Sequence, residues 1–176
     1  AHDILYETYK DIRQNKLHIP YDLNQKLMIL HSYIIGRRLI KVKDHKGGAL
    51  MLKRVAKNIS QFPTHMTNIL TSTVAECMKA GLKKEAQTWA LVLMRKENRD
   101  NIPEAFKKKI SNIALKNLKD HEDEPEPLSQ CPFCKENIPI TQLDCPNCKN
   151  NIPFCIASGQ HMTLDNWCVC PVSGMP

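Results

Sequence analysis

Along the first two thirds of the chain, apolar residues recur three and four positions apart, which is the spacing of one helix face. Ile4, Leu5, Tyr9 and Ile12 predict a short helix over 2–15. Pro20 interrupts it, and Asp22 or Asn24 is placed to cap the next. Leu23, Leu27, Leu30 and Ile34, thickened by Met28, Ile29, Tyr33 and Ile35, predict a second helix running to Val42. Its apolar face is too broad for a lone exposed helix, so it is expected to be clamped between neighbours. Beyond a turn at Gly47-Gly48, Ala49, Leu52, Val55, Ala56 and Ile59 form a third stripe, broken at Gln61-Phe62-Pro63. Met66, Ile69, Leu70, Thr73, Val74, Cys77 and Ala80 form a fourth, closed by Gly81 as a left-handed C-cap. Ala86, Trp89, Ala90, Leu93 and Met94 predict a fifth helix. Pro103, suited to a first helical turn, opens a last one with Phe106, Ile110, Ile113 and Leu118 inward. No segment before residue 120 alternates as a strand would.

The helices pair. Ala49 follows Asp44-His45-Lys46-Gly47-Gly48, and Ala86 follows Gly81-Leu82-Lys83-Lys84-Glu85, 37 positions later. Each motif sets a glycine-containing turn before a helix whose small residues admit a close neighbour. Residues 1–119 therefore read as the end of an α-solenoid of tetratricopeptide-like helical hairpins, with an offset slightly longer than the usual ~34 residues. Residues 120–130, beginning Asp120-His121-Glu122-Asp123-Glu124-Pro125-Glu126-Pro127, read as an acidic linker, or as an acidic motif docked on the helices. Residues 131–176 form a separate cysteine-rich module of zinc-ribbon type with short β-hairpins. The fold class is mainly α.

Chemistry concentrates in that module. Seven of the eight cysteines lie between Cys131 and Cys170. Cys131-Pro132-Phe133-Cys134 and Cys145-Pro146-Asn147-Cys148 each offer two sulfurs from one tight turn, and zinc takes four such ligands at tetrahedral corners. Cys131, Cys134, Cys145 and Cys148 are the expected ligands of one structural zinc. The alternatives are two disulfides or four free thiols. Further along, Cys155, His161, Cys168 and Cys170 are enough for a second zinc, although their spacing is irregular. Cys170-Pro171-Val172-Ser173 has the form of a knuckle with serine in its last place. The alternative there is a buried cysteine cluster packed with Trp167 and Phe154.

Charge narrows the functional classes. Residues 1–119 carry 23 basic against 10 acidic side chains, so the basic balance belongs to the helices. That face suits an acidic protein partner or an anionic membrane surface. Lys83-Lys84, Lys107-Lys108-Lys109 and Arg37-Arg38 lack interleaved aromatic residues for base stacking, which argues against nucleic acid. No apolar run is long enough to span a membrane, and no charged-then-apolar leader opens the chain. Clustered cysteines of metal-site spacing point to a reducing, cytosolic compartment. Catalysis finds no support: a four-cysteine site leaves zinc no open position, and there is no Gly-rich phosphate loop. A RING-like ubiquitin ligase would need interleaved sites and a histidine soon after the third cysteine, and Cys145 leads directly to Cys148.

The run Cys-Pro-Phe-Cys, then Cys-Pro-x-Cys-Lys-Asn-x-Ile-Pro, then Cys-Ile-Ala-x-Gly-x-His-Met resembles the C-terminal end of the WD-repeat subunits of intraflagellar transport complex A. Leu27 to Tyr33, Val55 to Ser60 and Ile69 to Val74 are similar too. The resemblance implies a fragment: the last part of a tetratricopeptide-like solenoid plus a terminal zinc module, without the N-terminal β-propellers. It implies a scaffolding role in ciliary transport, the other subunits of that complex as partners, and a location in the cytoplasm and at the cilium and its base. Ser173 departs from the cysteine expected there.

Overall fold

A computed structural model describes residues 2–118 and 121–163. Trp167, Cys168, Cys170 and Ser173 lie outside the described residues. Among the described residues seven α-helices follow one another: α1 (His2–Gln14), α2 (Tyr21–Lys41), α3 (His45–Lys57), α4 (Met66–Lys79), α5 (Lys83–Leu93), α6 (Lys96–Arg99) and α7 (Glu104–Ala114). A two-stranded hairpin of β1 (Leu128–Gln130) and β2 (Asn137–Pro139) comes after them. The chain divides into two compact units, 36–125 and 1–35 with 126–176. This partition differs from the one drawn along the sequence, since α1 and the first part of α2 group with the cysteine-rich module. Among the described residues no helix is long and apolar enough to cross a membrane.

In the unit 36–125, successive helices pack on one another, α3 on α4, α4 on α5 and α5 on α7. The core is the set of stripes read from the sequence: Ala49, Leu52, Val55 and Ala56 from α3, Leu70, Val74 and Cys77 from α4, Ala86, Ala90 and Leu93 from α5, and Ile110 and Ile113 from α7. Small residues set the spacing. A Cβ on Gly48 would lie 2.7 Å from Ile40 Cγ1, and one on Gly36 would lie 3.1 Å from Met51 Cβ, so α3 sits closely on the end of α2.

Gly47 and Gly48 were expected in a turn and instead lie inside α3, because Asp44 caps the helix by accepting the Gly47 N–H at 2.9 Å. Gly81 does take the left-handed conformation expected of a C-cap, with φ +83°. Pro63 starts a short 3-10 turn, Pro63–His65, before α4. The last helix stops at Ala114, so Leu118 lies beyond it, and Phe106 is 44% exposed rather than inward.

α5 has no capping side chain of its own at Leu82. Its free N–H groups are met from far along the chain: the Asp123 carboxylate accepts from Lys84 N–H at 3.0 Å and Glu85 N–H at 2.8 Å. Glu124 pairs with Lys46 at 2.6 Å. Part of the acidic stretch is therefore docked on the helices of this unit, the second of the two expectations for it. Inside the unit, Glu76 takes hydrogen bonds from His45 and Lys79, each at 2.7 Å. Burial alone would raise the Glu76 carboxyl, but these two partners hold it below its ordinary value.

In the other unit, β1 and β2 run antiparallel with Ser129 opposite Ile138. Glu126 holds the end of the hairpin, its carboxylate taking the Thr141 N–H at 2.9 Å and the Thr141 hydroxyl. α2 ties to the module through Tyr21 and Gln25, which donate to the Asp144 carboxylate at 2.8 and 3.0 Å. Burial, and then the hydrogen bond to Asp144, push the Tyr21 phenol up to about 12.

Candidate metal centre

The site is built from two copies of one turn. Residues 131–139 read Cys-Pro-Phe-Cys-Lys-Glu-Asn-Ile-Pro and residues 145–153 read Cys-Pro-Asn-Cys-Lys-Asn-Asn-Ile-Pro, identical at seven of nine positions. Their backbones match as well. Cys131 N–H donates to Glu136 O at 2.8 Å and Lys135 N–H to Cys131 O at 3.0 Å; Cys145 N–H donates to Asn150 O and Lys149 N–H to Cys145 O, both at 3.0 Å. The chain escapes each turn through a positive φ, 63° at Lys135 and 60° at Lys149. The repeated isoleucines, Ile138 and Ile152, are fully buried and pack with Cys131 and Cys145 in one small core.

The four sulfurs of Cys131, Cys134, Cys145 and Cys148 all lie within 4.8 Å of one another. Cys131 and Cys148 are 3.7 Å apart and Cys134 and Cys145 are 3.5 Å apart. Sulfurs placed about 2.3 Å from a tetrahedral zinc stand about 3.8 Å from each other, so the donor set fits that ion in number, softness and spacing. The backbone N–H of Glu136 helps bring the Cys134 thiol down to about 6. At Cys145 the N–H of Cys148 favours the thiolate, yet burial and the crowded sulfurs of Cys134 and Cys148 push it up to about 11. A dication would favour the thiolates together. Beside the first turn, Pro132 and Phe133 border an apolar cavity of about 330 Å³ that Tyr6, Leu27 and Met28 complete.

Cys155 and His161 join no cluster of three or more such ligands among the described residues, and Cys168 and Cys170 lie outside them. Both ring nitrogens of His161 are engaged. Nε2 is 2.7 Å from Gln142 O, a pure acceptor, so it carries the proton, and Nδ1 accepts from the Ser129 hydroxyl at 2.5 Å.

Around Cys155 lies a feature that motif spacing missed. Cys155 N–H donates to Gln160 O at 2.8 Å and Gly159 N–H to Cys155 O at 2.7 Å, with φ 71° at Gly159. This is the knuckle turn a third time, with Ser158 where the second sulfur would stand. Burial opposes ionisation of Cys155, but the Ser158 hydroxyl and the N–H groups of Ser158 and Ala157 outweigh it, so the thiol lies below its ordinary value. The legible signal was positional: Gly159 stands four residues after its cysteine, as Lys135 and Lys149 do.

No family model matches the chain. Curated proteins do. WD repeat-containing protein 19 of Mus musculus and of Homo sapiens are each 48% identical to it over 176 residues, which is 100% of this chain and 13% of theirs. The chain is a relative of WD repeat-containing protein 19 along its whole length. WD repeat-containing protein dyf-2 of Caenorhabditis elegans is 40% identical over 178 residues, again 100% of this chain and 13% of the relative. The chain thus spans about an eighth of the length of the WD repeat-containing protein 19 relatives it matches. Similarity along the whole chain takes in the helices and the cysteine turns alike.

Proposed function

We propose that the chain is a non-catalytic scaffold segment of an intraflagellar transport complex A subunit, the type represented by intraflagellar transport protein 144, and that structural zinc braces its cysteine module. Whole-length similarity to WD repeat-containing protein 19 supports the ciliary reading. In this proposal residues 1–119 supply a tetratricopeptide-like helical end, 120–130 connect, and 131–176 carry the metal module. Its partners are other subunits of the complex, its work is retrograde ciliary transport and the ciliary entry of membrane proteins, and it resides in the cytoplasm and at the ciliary base.

The observation that carries the zinc reading is the convergence of four sulfurs within 4.8 Å from two like turns. Zinc there would be held by Cys131, Cys134, Cys145 and Cys148, leaving no open coordination position, and would contribute folding free energy to a segment with few core residues. A second zinc on Cys155, His161, Cys168 and Cys170 is a further part of the proposal. It requires His161 to release one of its present hydrogen bonds, because a ligating nitrogen must offer its lone pair.

Elemental analysis of the purified chain tests both. Zinc bound by the wild type and lost in Cys145→Ser establishes the first site. A drop of one zinc in a Cys155→Ser/Cys170→Ser pair establishes the second. Wild-type protein free of zinc after expression in zinc-replete medium would reject the metal reading altogether.

A further inference from the structure

We infer that the outward face of α7 is a docking surface for an acidic segment of a partner protein. The inference rests on charge and geometry alone and holds whether or not the ciliary reading does. α7 turns Ile110, Ile113 and Ala114 toward the core. Its other side exposes Ala105, Lys108, Lys109 and Asn112, and Lys116 is exposed just beyond its end. These residues, with Ile113 at the base, line a shallow groove of about 480 Å³.

The surroundings make that groove strongly cationic. Residues 36–118 hold 18 basic and 6 acidic side chains. Half of the acids are already paired, Glu76 with His45 and Lys79, Glu85 with Lys53 and Glu104 with Lys107. Lys108, Lys109 and Lys116 enter no ion pair among the described residues. Lys108 and Lys109 on the helix and Lys116 past its end put three like charges around one groove, and an anionic partner relieves their repulsion.

Two observations favour a protein over a membrane. A helix that lies in a bilayer surface buries its own apolar side there, whereas Ile110, Ile113 and Ala114 of α7 are committed to the core and Phe106 is its one exposed large apolar side chain. The same unit already accepts a peptide of this chemistry: Asp123 and Glu124 of the chain's own acidic stretch lie against α5 and Lys46.

The test uses the full 176-residue chain and a fluorescein-labelled synthetic peptide of glutamate, leucine and alanine with its glutamates along one helical face. Fluorescence polarisation should report binding that weakens as salt rises. Lys108→Glu/Lys109→Glu/Lys116→Glu should weaken it at least ~10-fold, while Arg38→Glu/Lys96→Glu/Arg99→Glu, an equal charge change elsewhere, should alter it less than about 3-fold. The Lys→Gln triple, checked for unchanged helical circular dichroism, should fall between. No binding by the wild type, or equal loss in both charge-reversed triples, would overturn the proposal. So would tighter binding to vesicles of phosphatidylserine and phosphatidylcholine than to the peptide with the same variant sensitivity, since that assigns the face to a membrane.

Discussion

Glu76 is nearly buried and remains ionised because His45 and Lys79 both reach it. A carboxyl held below its ordinary value of 4.5 stabilises the fold at higher pH, because the folded state resists protonation that the unfolded state accepts. That contribution is complete above the unfolded value and is lost as pH falls through the folded one. In urea titrations at pH 7 and at successive steps below 4.5, Glu76→Gln should therefore be less stable than wild type at neutral pH and converge with it in acid. Parallel curves at every pH would mean the pair contributes nothing. None of this was readable beforehand. His45 and Glu76 lie 31 positions apart, and a sequence does not say which two helices bring them together. The four cysteines were readable, because each pair is local and zinc has a known demand for number and spacing. Ser158 was not, because a serine carries no metal signal until its backbone is seen to repeat that of Cys134 and Cys148.

At the scale of the element, helix interiors followed their apolar stripes and helix ends did not. α3, α4 and α5 bury most of the residues that periodicity assigned them, with Met66, Ile69, Trp89 and Met94 only half-buried. Their boundaries depend on caps, and the cap of α5 comes from Asp123, some 40 residues downstream. Local propensity carries no trace of such a partner. The four-residue α6 was missed for the opposite reason, since so short a run shows no period at all. Asp123→Ala should cost about 1 kcal/mol, as removal of an N-cap does, and Asp123→Asn should restore much of it. Thermal unfolding followed by circular dichroism measures both. An alanine variant as stable as wild type would show that water serves these N–H groups equally well.

Across the whole molecule, the division into 36–125 and 1–35 with 126–176 implies separable stabilities. Stripping metal with a chelator should release the amides of Cys131, Ile138, Cys145 and Ile152 to hydrogen exchange while those in α4 and α5 stay protected. Simultaneous loss in α4 and α5 would mean the chain unfolds as one body. The sequence placed the four converging cysteines in one stretch but gave no sign that α1 and the start of α2 would group with it, because nothing in a helical stripe names the surface it will meet. The module repeats one turn three times, the third with serine where the others carry a second cysteine. Four of the six serine codons lie a single base from a cysteine codon, and the turn at Cys155 already aims the N–H groups of Ala157 and Ser158 at a thiolate. One point mutation, Ser158→Cys, would complete a third two-sulfur turn on a backbone that needs no rebuilding.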